Sequence, residues 1–288
     1  MIKKGIILAG GIGSRMSPLT KAVNKQLLPL YDKPLIFYPL SVLMLAGIRR
    51  ILIIVNKGQL NQFRKILPEK NNFGVSIEYK EQLKPEGLPQ AFTIGEKFIG
   101  KDDVSLILGD NFFYGQSLTK ILKKNINLKS GAKIFIHPVK NPHLYGVAVL
   151  NKNKKIVQLI EKPKKNKSNF AVTGLYYFDN KVIELSKKLK PSKRGELEIV
   201  DLLEIYKSKK QLSANLIGRG GAWLDTGSMD DFYKTSNFVS AIENRQGLKI
   251  ACLEEISFNN KWINKSNLKQ SIKFYGNCDY SKYLSKLL

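Results

Sequence analysis

Long hydrophobic runs are missing from this 288-residue chain, and no apolar stretch approaches the roughly 18 residues of a membrane span. The opening MIKKGIILAGG is too short and too glycine-interrupted for a secretory signal, and its apolar run reads as a first strand. Cysteine is scarce: Cys252 and Cys278 fit no metal or redox spacing and are expected to be buried thiols. The two histidines, His137 and His143, have neither an acid nor a nucleophile beside them, so packing or surface roles are expected for both. Without a Ser-His-Asp set, an activated cysteine or a zinc cluster, nucleophilic catalysis by a side chain has no candidate. A soluble cytoplasmic protein with no membrane partner is expected.

Acids are also few. Against 23 Asp and Glu stand 48 Lys and Arg, a formal net charge of +25. Such an excess invites a nucleic-acid reading. Arginine, however, occurs at only seven positions, so the excess is lysine, scattered and often beside asparagine, as in Lys164-Lys165-Asn166-Lys167. No basic stripe interleaved with aromatics is present, so no specific nucleic-acid partner is expected. Non-specific polyanion binding at low salt is expected from the charge alone.

What is present supports a packed core: 43% hydrophobic residues, 10% aromatic, and length for one large α/β domain. Buried strands are predicted at Ile6–Ala9, Ile51–Val55, Val75–Tyr79 and Val104–Leu108. Helices are predicted over Pro34–Gly47, Leu60–Leu67, Leu88–Phe98 and Leu118–Ile126. Phe112–Gly115 reads as a packed connection. This alternation argues a doubly wound, mostly parallel sheet with ligands at the carboxyl ends of its strands. From Lys133 the texture turns to longer, partly antiparallel strands: Ile134–Val139, Gly146–Leu150, Lys155–Glu161 and Phe170–Phe178. Helices Val182–Leu189 and Glu198–Lys207, strand Gln211–Ile217 and short strand Ala222–Asp225 follow, then helix Met229–Glu243 and an irregular helical end.

Four stretches carry candidate chemistry. Strand Ile6–Ala9 breaks at Gly10-Gly11-Ile12-Gly13-Ser14-Arg15, where glycines let backbone N–H groups converge on an anion. Arg15 and, ten residues on, Lys25 add cations, making a triphosphate cradle; a plain glycine turn is the alternative. Asp110 follows strand Val104–Leu108 and Asp225 ends the short strand, both at rim positions suited to a cation; an Asx-turn would also explain Asp110. Glu161-Lys162 is stopped by Pro163 at a strand tip, as a site pair or a solvated one. Arg219 lies between Gly218 and Gly220, where its fork suits a diphosphate or simply packs in a surface turn.

LAGGIGSRMSPLT…KQLLPLYDKPLIFYPLSVLMLAGI, with LGDNFFYG, EKPKKNKSNFAVTGLYYFD, LKPSKRGELEIVD, GRGGAWLDTGS and ENRQGLKIACLEEI, resembles the sugar-nucleotide pyrophosphorylases over nearly the whole chain. Within them it is similar to the branch that joins dTTP to glucose 1-phosphate. The resemblance implies a Rossmann-like nucleotide-binding half (about 1–130), a β-rich sugar-binding half (131–227) and a helical C-terminal part (228–288). It implies Mg²⁺ held by Asp110 and Asp225, with Arg15, Lys25 and Lys162 as the other catalytic groups. Nucleotide contacts would come from Leu8, Ala9, Gly10, Gly11, Gly13, Ser14, Arg15, Lys25, Gln26, Gln82 and Gly87. Sugar contacts would come from Asn111, Gly146, Glu161, Lys162 and Val172, with Trp223 packed beneath. A separate regulatory nucleotide site would be lined by Gly115, Gly218, Arg219, Glu255 and Ile256. A homotetramer and a product feeding dTDP-rhamnose or a related deoxysugar are implied too. Pro89, in the base-binding loop, departs from the pattern. A sister enzyme using UTP or another triphosphate is the main alternative, ahead of a non-catalytic relative and a basic nucleic-acid-binding protein.

Overall fold

The computed structural model describes residues 1–165 and 167–288. Its strands are β1 (Lys4–Ala9), β2 (Pro29–Leu30), β3 (Lys33–Pro34), β4 (Arg50–Asn56), β5 (Ser76–Gln82), β6 (Val104–Leu108), β7 (Asn111–Gly115), β8 (Ala132–Pro138), β9 (Gly146–Leu150), β10 (Ile156–Glu161), β11 (Phe170–Phe178), β12 (Leu212–Leu216) and β13 (Gly221–Asp225). Strands β5, β4, β1 and β6 lie side by side and run parallel. The chain winds outward from β1 to β5 and then crosses back to β6, so the winding reverses at the β1–β6 pair, where ligands sit in open α/β sheets.

Strand β11 runs antiparallel to β6 and continues the same sheet. One of its edges is shared: Leu175–Phe178 pairs with β6, while Ala171 meets Val147 of β9. The β9–β10 hairpin therefore stands apart from the carboxyl end of β6, leaving an opening lined by Val172 and Gly174 of β11. Strands β8 and β12 extend the other edge of β11. The architecture is the mixed α/β sheet expected, with one sheet spanning both halves.

The central strands are apolar on both sides because both faces are covered. Ile7, Ile53, Val55 and Ile107 pack with helix Phe37–Leu45 on one face. Ile6, Leu8, Leu52, Ile54 and Leu106 pack with Phe92, Val182 and Leu203 on the other. No helix among the described residues is long and apolar enough to cross a membrane. Cys252 is buried, as expected, and its thiol is pushed up to about 12 by burial and then by Glu254; Cys278 is only half-buried.

Several predicted elements differ. The helix expected from Pro34 begins at Phe37, because Lys33–Pro34 pairs with Pro29–Leu30 in a hairpin. Lys33, 2% exposed, bonds Glu243 at 2.9 Å and so ties that hairpin to helix Met229–Gln246. Strand β5, expected to end at Tyr79, runs on to Gln82. Phe112–Gly115 is not a connection but strand β7, antiparallel to β13. The helix expected over Leu88–Phe98 is two short ones, Gln90–Ile94 and Glu96–Ile99, broken at Gly95. A Cβ on Gly95 would lie 2.9 Å from Ile6 Cδ1 and 3.2 Å from Leu52 Cδ2, so glycine lets this segment close on the sheet. Gly95→Ala is accordingly expected to lower unfolding free energy by about 1–3 kcal/mol, the usual cost of overpacking, measured by urea denaturation.

Candidate active site

The glycine loop leaves β1 at Ala9, and Gly11 (φ 100°) and Gly13 (φ 63°) take backbone conformations that disfavour side chains. Asn56, at the end of β4, holds Gly11 from both sides: it accepts from Gly11 N at 2.9 Å and donates to Gly11 O at 2.8 Å. Asn24 donates to Ala9 O at 3.2 Å and accepts from Gln26 N at 2.8 Å, capping the turn Lys25–Leu27. These amides fix the loop relative to Lys25. Sequence reasoning missed both, since isolated asparagines carry no motif. Leu8 and Ala9 themselves are core residues; they serve through carbonyls that accept from Gly109 N and Asn24.

Lys25 is buried and its Nζ lies 2.8 Å from Asp110 Oδ2. Burial presses the Asp110 carboxyl upward, but the Lys25 charge and hydrogen bonds from Lys25 and Asn111 hold it below the usual carboxylate range. Pairing of β7 with β13 sets Asp225 opposite Asn111, and Thr226 donates to Asp110 O from both its N–H and its hydroxyl. The two expected metal-binding acids, 115 residues apart in sequence, are thus neighbours. Asp225 has no hydrogen bond or ion pair among the described residues. Burial first, and then the negative charge of Asp110, push it up to about 6. An anionic pair of which one member is unpartnered is chemically suited to a divalent cation shared with phosphate oxygens.

Two cavities flank these carboxylates. One, about 200 Å³, is lined by Gly10, Gly11, Gly13, Ser14, Lys25 and Gln26. Gln26 Oε1 is buried there without a partner, an acceptor free for a ligand N–H or O–H. The other, about 330 Å³, is lined by Asn111, Gly146, Glu161, Lys162, Val172 and Trp223. Arg15 and Asp110 belong to both, so the cavities meet at those residues. Gln82 and Gly87 lie outside both: Gln82 packs against Gly10, and Gly87 is bridged to Leu197.

In the second cavity, Gly146 pairs with Glu161 across the β9–β10 hairpin, and a Cβ there would lie 3.1 Å from Glu161 Oε2. Burial raises the Glu161 carboxyl, partly offset by Lys162 and Arg194. Lys162 has φ 42°, held by its N–H bond to Tyr145 O at 3.1 Å, a strained backbone of the kind found at functional positions. Asn111 is more committed than expected of a sugar contact: its Oδ1 accepts from Trp223 Nε1 at 2.6 Å and Gly174 N at 3.0 Å, and its Nδ2 donates to Asp110. Its polar atoms orient Asp110. Arg194, forked onto Glu198 and 3.5 Å from Glu161, adds a lining cation that the sequence reading did not single out within LKPSKRGELEIVD.

The five residues expected to form a regulatory site separate within one chain. Gly115, Glu255 and Ile256 line a groove of about 260 Å³, whereas Gly218 lines an adjoining one of about 430 Å³. Arg219 is exposed and lines neither. His137 Nδ1 lies 3.1 Å from Ile217 O and His143 is exposed, the packing and surface roles expected.

The Asp225 environment gives a stability test. Its pKa is raised on folding, so the ionised group destabilises the fold above about pH 6, and that cost fades as pH falls toward the ordinary 3.8. Asp225→Asn is expected to raise Tm of the metal-free protein at pH 7.5, with the gain shrinking steadily between pH 6 and 4. Differential scanning calorimetry across that range checks it.

The chain matches the family model for nucleotidyl transferase over residues 4–242. It is 50% identical to glucose-1-phosphate thymidylyltransferase of Neisseria meningitidis serogroup A over 285 residues, 99% of each chain. The Mycobacterium tuberculosis enzyme of that name is 45% identical, again over 99% of each. A Bacillus anthracis structure carrying the same thymidylyltransferase name, in complex with a sucrose, superposes with TM-score 0.75 at 40% identity, covering 82% of this chain and 94% of the other. UDP-glucose pyrophosphorylase complexed with UDP-glucose gives TM-score 0.73 at 27% identity, over 85% and 100%. A glycine loop and a strand-end acid pair meeting between two cavities, on this fold and at these identities, place the chain in the nucleotidyl transferase family, among the glucose-1-phosphate thymidylyltransferases.

Proposed function

We propose that the protein joins dTTP and glucose 1-phosphate into dTDP-glucose and pyrophosphate. The carrying observation is that the glycine-loop cavity and the β9–β10 cavity meet at Arg15 and Asp110, as a transfer between two phosphates requires. An oxygen of the sugar phosphate attacks the α-phosphorus of dTTP; that bond forms as the bond to the β-phosphate oxygen breaks, and the electron pair leaves on pyrophosphate. Such a reaction needs in-line placement and cancelled charge, with no covalent enzyme intermediate.

Each residue then has a task. The Gly10–Ser14 backbone and Arg15 receive the triphosphate, and Lys25 adds positive charge at Asp110. Lys162 holds the sugar phosphate beside an anionic target, with Arg194 as a second cation at that cavity. Glu161, Gly146 and Val172 shape the glucose pocket. Gln26 Oε1 accepts from the nucleotide, and Gln82 and Gly87 face its base. Asp110 and Asp225 would hold Mg²⁺, which would supply positive charge against the reacting phosphates. Thymine and uracil differ by one methyl, worth about 1–3 kcal/mol in a pocket, so UTP is the natural second substrate.

The further reading is of a homotetramer in which the grooves at Gly115–Glu255–Ile256 and Gly218 form a regulatory nucleotide site, with Arg219 reaching an effector diphosphate. We further propose that the enzyme acts in the cytoplasm, ahead of dTDP-rhamnose or a related deoxysugar.

Pyrophosphate release with glucose 1-phosphate is expected from dTTP and UTP and scarcely from purine triphosphates; comparable kcat/KM with ATP would overturn the pyrimidine assignment. Asp110→Asn is expected to lower kcat at least about 10²-fold, the scale of one preorganised electrostatic group, without loss of secondary structure by circular dichroism. Near-normal turnover in Mg²⁺ would remove Asp110 from the reaction.

A further inference from the structure

Gln82 ends β5 beside the glycine loop, and its carboxamide is held one way round. We infer that Gln90 is a positioning residue for nucleobase choice, locking Gln82 so that Oε1, an acceptor, faces the loop. An acceptor there suits a base whose ring nitrogen carries a hydrogen and opposes one whose ring nitrogen is bare. The inference rests on the pyrimidine reading above and adds what enforces it.

The lock starts at the backbone. Glu86 N–H donates to Gln90 Oε1 at 3.1 Å, and Gln90 Nε2 donates to Glu86 Oε2 at 2.7 Å. Turning the Gln90 amide over would set its NH₂ against an N–H and its oxygen against a carboxylate, so one orientation alone is satisfied. Gln90 Oε1 is therefore an acceptor, and the atom that Gln82 presents to it has to be Nε2. Gln82 Oε1 is left over. It accepts no hydrogen bond among the described residues. It lies 2.3 Å from where a Cβ on Gly10 would be, hard against the loop that receives the triphosphate. With Gln82 only 3% exposed, water does not compensate a flipped amide freely.

Glu86 is fixed in turn. Leu197 N–H donates to Glu86 O at 2.7 Å, and Gly87, at φ 111°, bridges to Leu197 so closely that a Cβ would fall 2.1 Å from Leu197 O. Pro89, the departure noted in the sequence, N-caps helix Gln90–Ile94, with φ −62° within the range its ring imposes. It therefore stiffens the approach to Gln90 and leaves Gln82 undisturbed.

Thymine and uracil carry N3–H between two carbonyls; cytosine carries a bare N3. Opposite Gln82 Oε1 the first makes a hydrogen bond, and the second sets two acceptors face to face. Freed from Gln90, the amide turns over and offers Nε2, which suits cytosine.

The test is kcat/KM for dTTP and for CTP, with saturating glucose 1-phosphate, in wild type, Gln90→Leu and the exchange Glu86→Gln with Gln90→Glu. Wild type is expected to favour dTTP strongly. Gln90→Leu is expected to cut the dTTP-to-CTP ratio at least about tenfold, on the scale of one buried unpaired acceptor. The exchange keeps a donor at position 86 facing an acceptor at 90, and is expected to return the ratio to within about threefold of wild type. An unchanged ratio in Gln90→Leu, or equal losses on both nucleotides, would refute the lock while leaving the pyrimidine reading intact. Should Gln90→Leu not fold by thermal melting, a collapsed ratio in the exchange variant refutes the lock instead. Wild type using CTP as well as dTTP is a separate result, and it overturns the base reading together with the lock.

Discussion

Pairing between β7 and β13 is the constraint on which the site depends. Each strand is five residues long, and their register puts Asp225 opposite Asn111. The same register aims Trp223 Nε1 at Asn111 Oδ1 and both donors of Thr226 at the Asp110 carbonyl. A slip of one residue would turn Asp225 to the opposite face, because side chains alternate along a strand. Glycine fixes the far end: a Cβ on Gly115 would lie 2.7 Å from Gly220 O, so a bulkier residue there would part the ribbon.

Charge at the site is distributed unevenly. Asp110 takes up Lys25, leaving Asp225 to bear repulsion without a partner. Sites built for transfer between anions hold such tension, because a pair already neutralised would have little to offer an incoming cation. A second, partly buried network lies away from it: Lys33 and Lys249 with Asp32 and Glu243, where two cations meet two acids. Balanced and hydrogen-bonded, that network ties the β2–β3 turn to the C-terminal helices and carries no comparable tension.

Much of this was legible in the chain. Apolar runs such as Ile51–Val55 and Val104–Leu108 declare strands covered on both faces, and the break at Gly10–Gly13 declares a loop that needs unusual backbone angles. Asp110 and Asp225 were singled out because charged residues at strand ends are poorly explained by packing, and Lys25 because it adds a cation ten residues beyond Arg15. Phe112–Gly115 was misread, since an aromatic run beside a helix gives no sign of a strand partner more than a hundred residues away. Asn24, Asn56 and Arg194 were passed over for a related reason: each reaches a site residue far along the chain, while Gln90 acts on Gln82 through side-chain bonds that no motif announces.

The sequence by itself determined the parallel α/β core, the glycine loop and the identities of the charged groups, because these follow from local periodicity, backbone freedom and residue chemistry. Only the tertiary structure decided which groups meet. Asp225 becomes a neighbour of Asp110, Gln82 turns one particular atom to the loop, and the residues of the expected regulatory site divide, with Gly115, Glu255 and Ile256 in one groove, Gly218 in the next and Arg219 in neither. Those outcomes depend on strand register and on side-chain hydrogen bonds that close only once the chain has folded, which local periodicity does not encode.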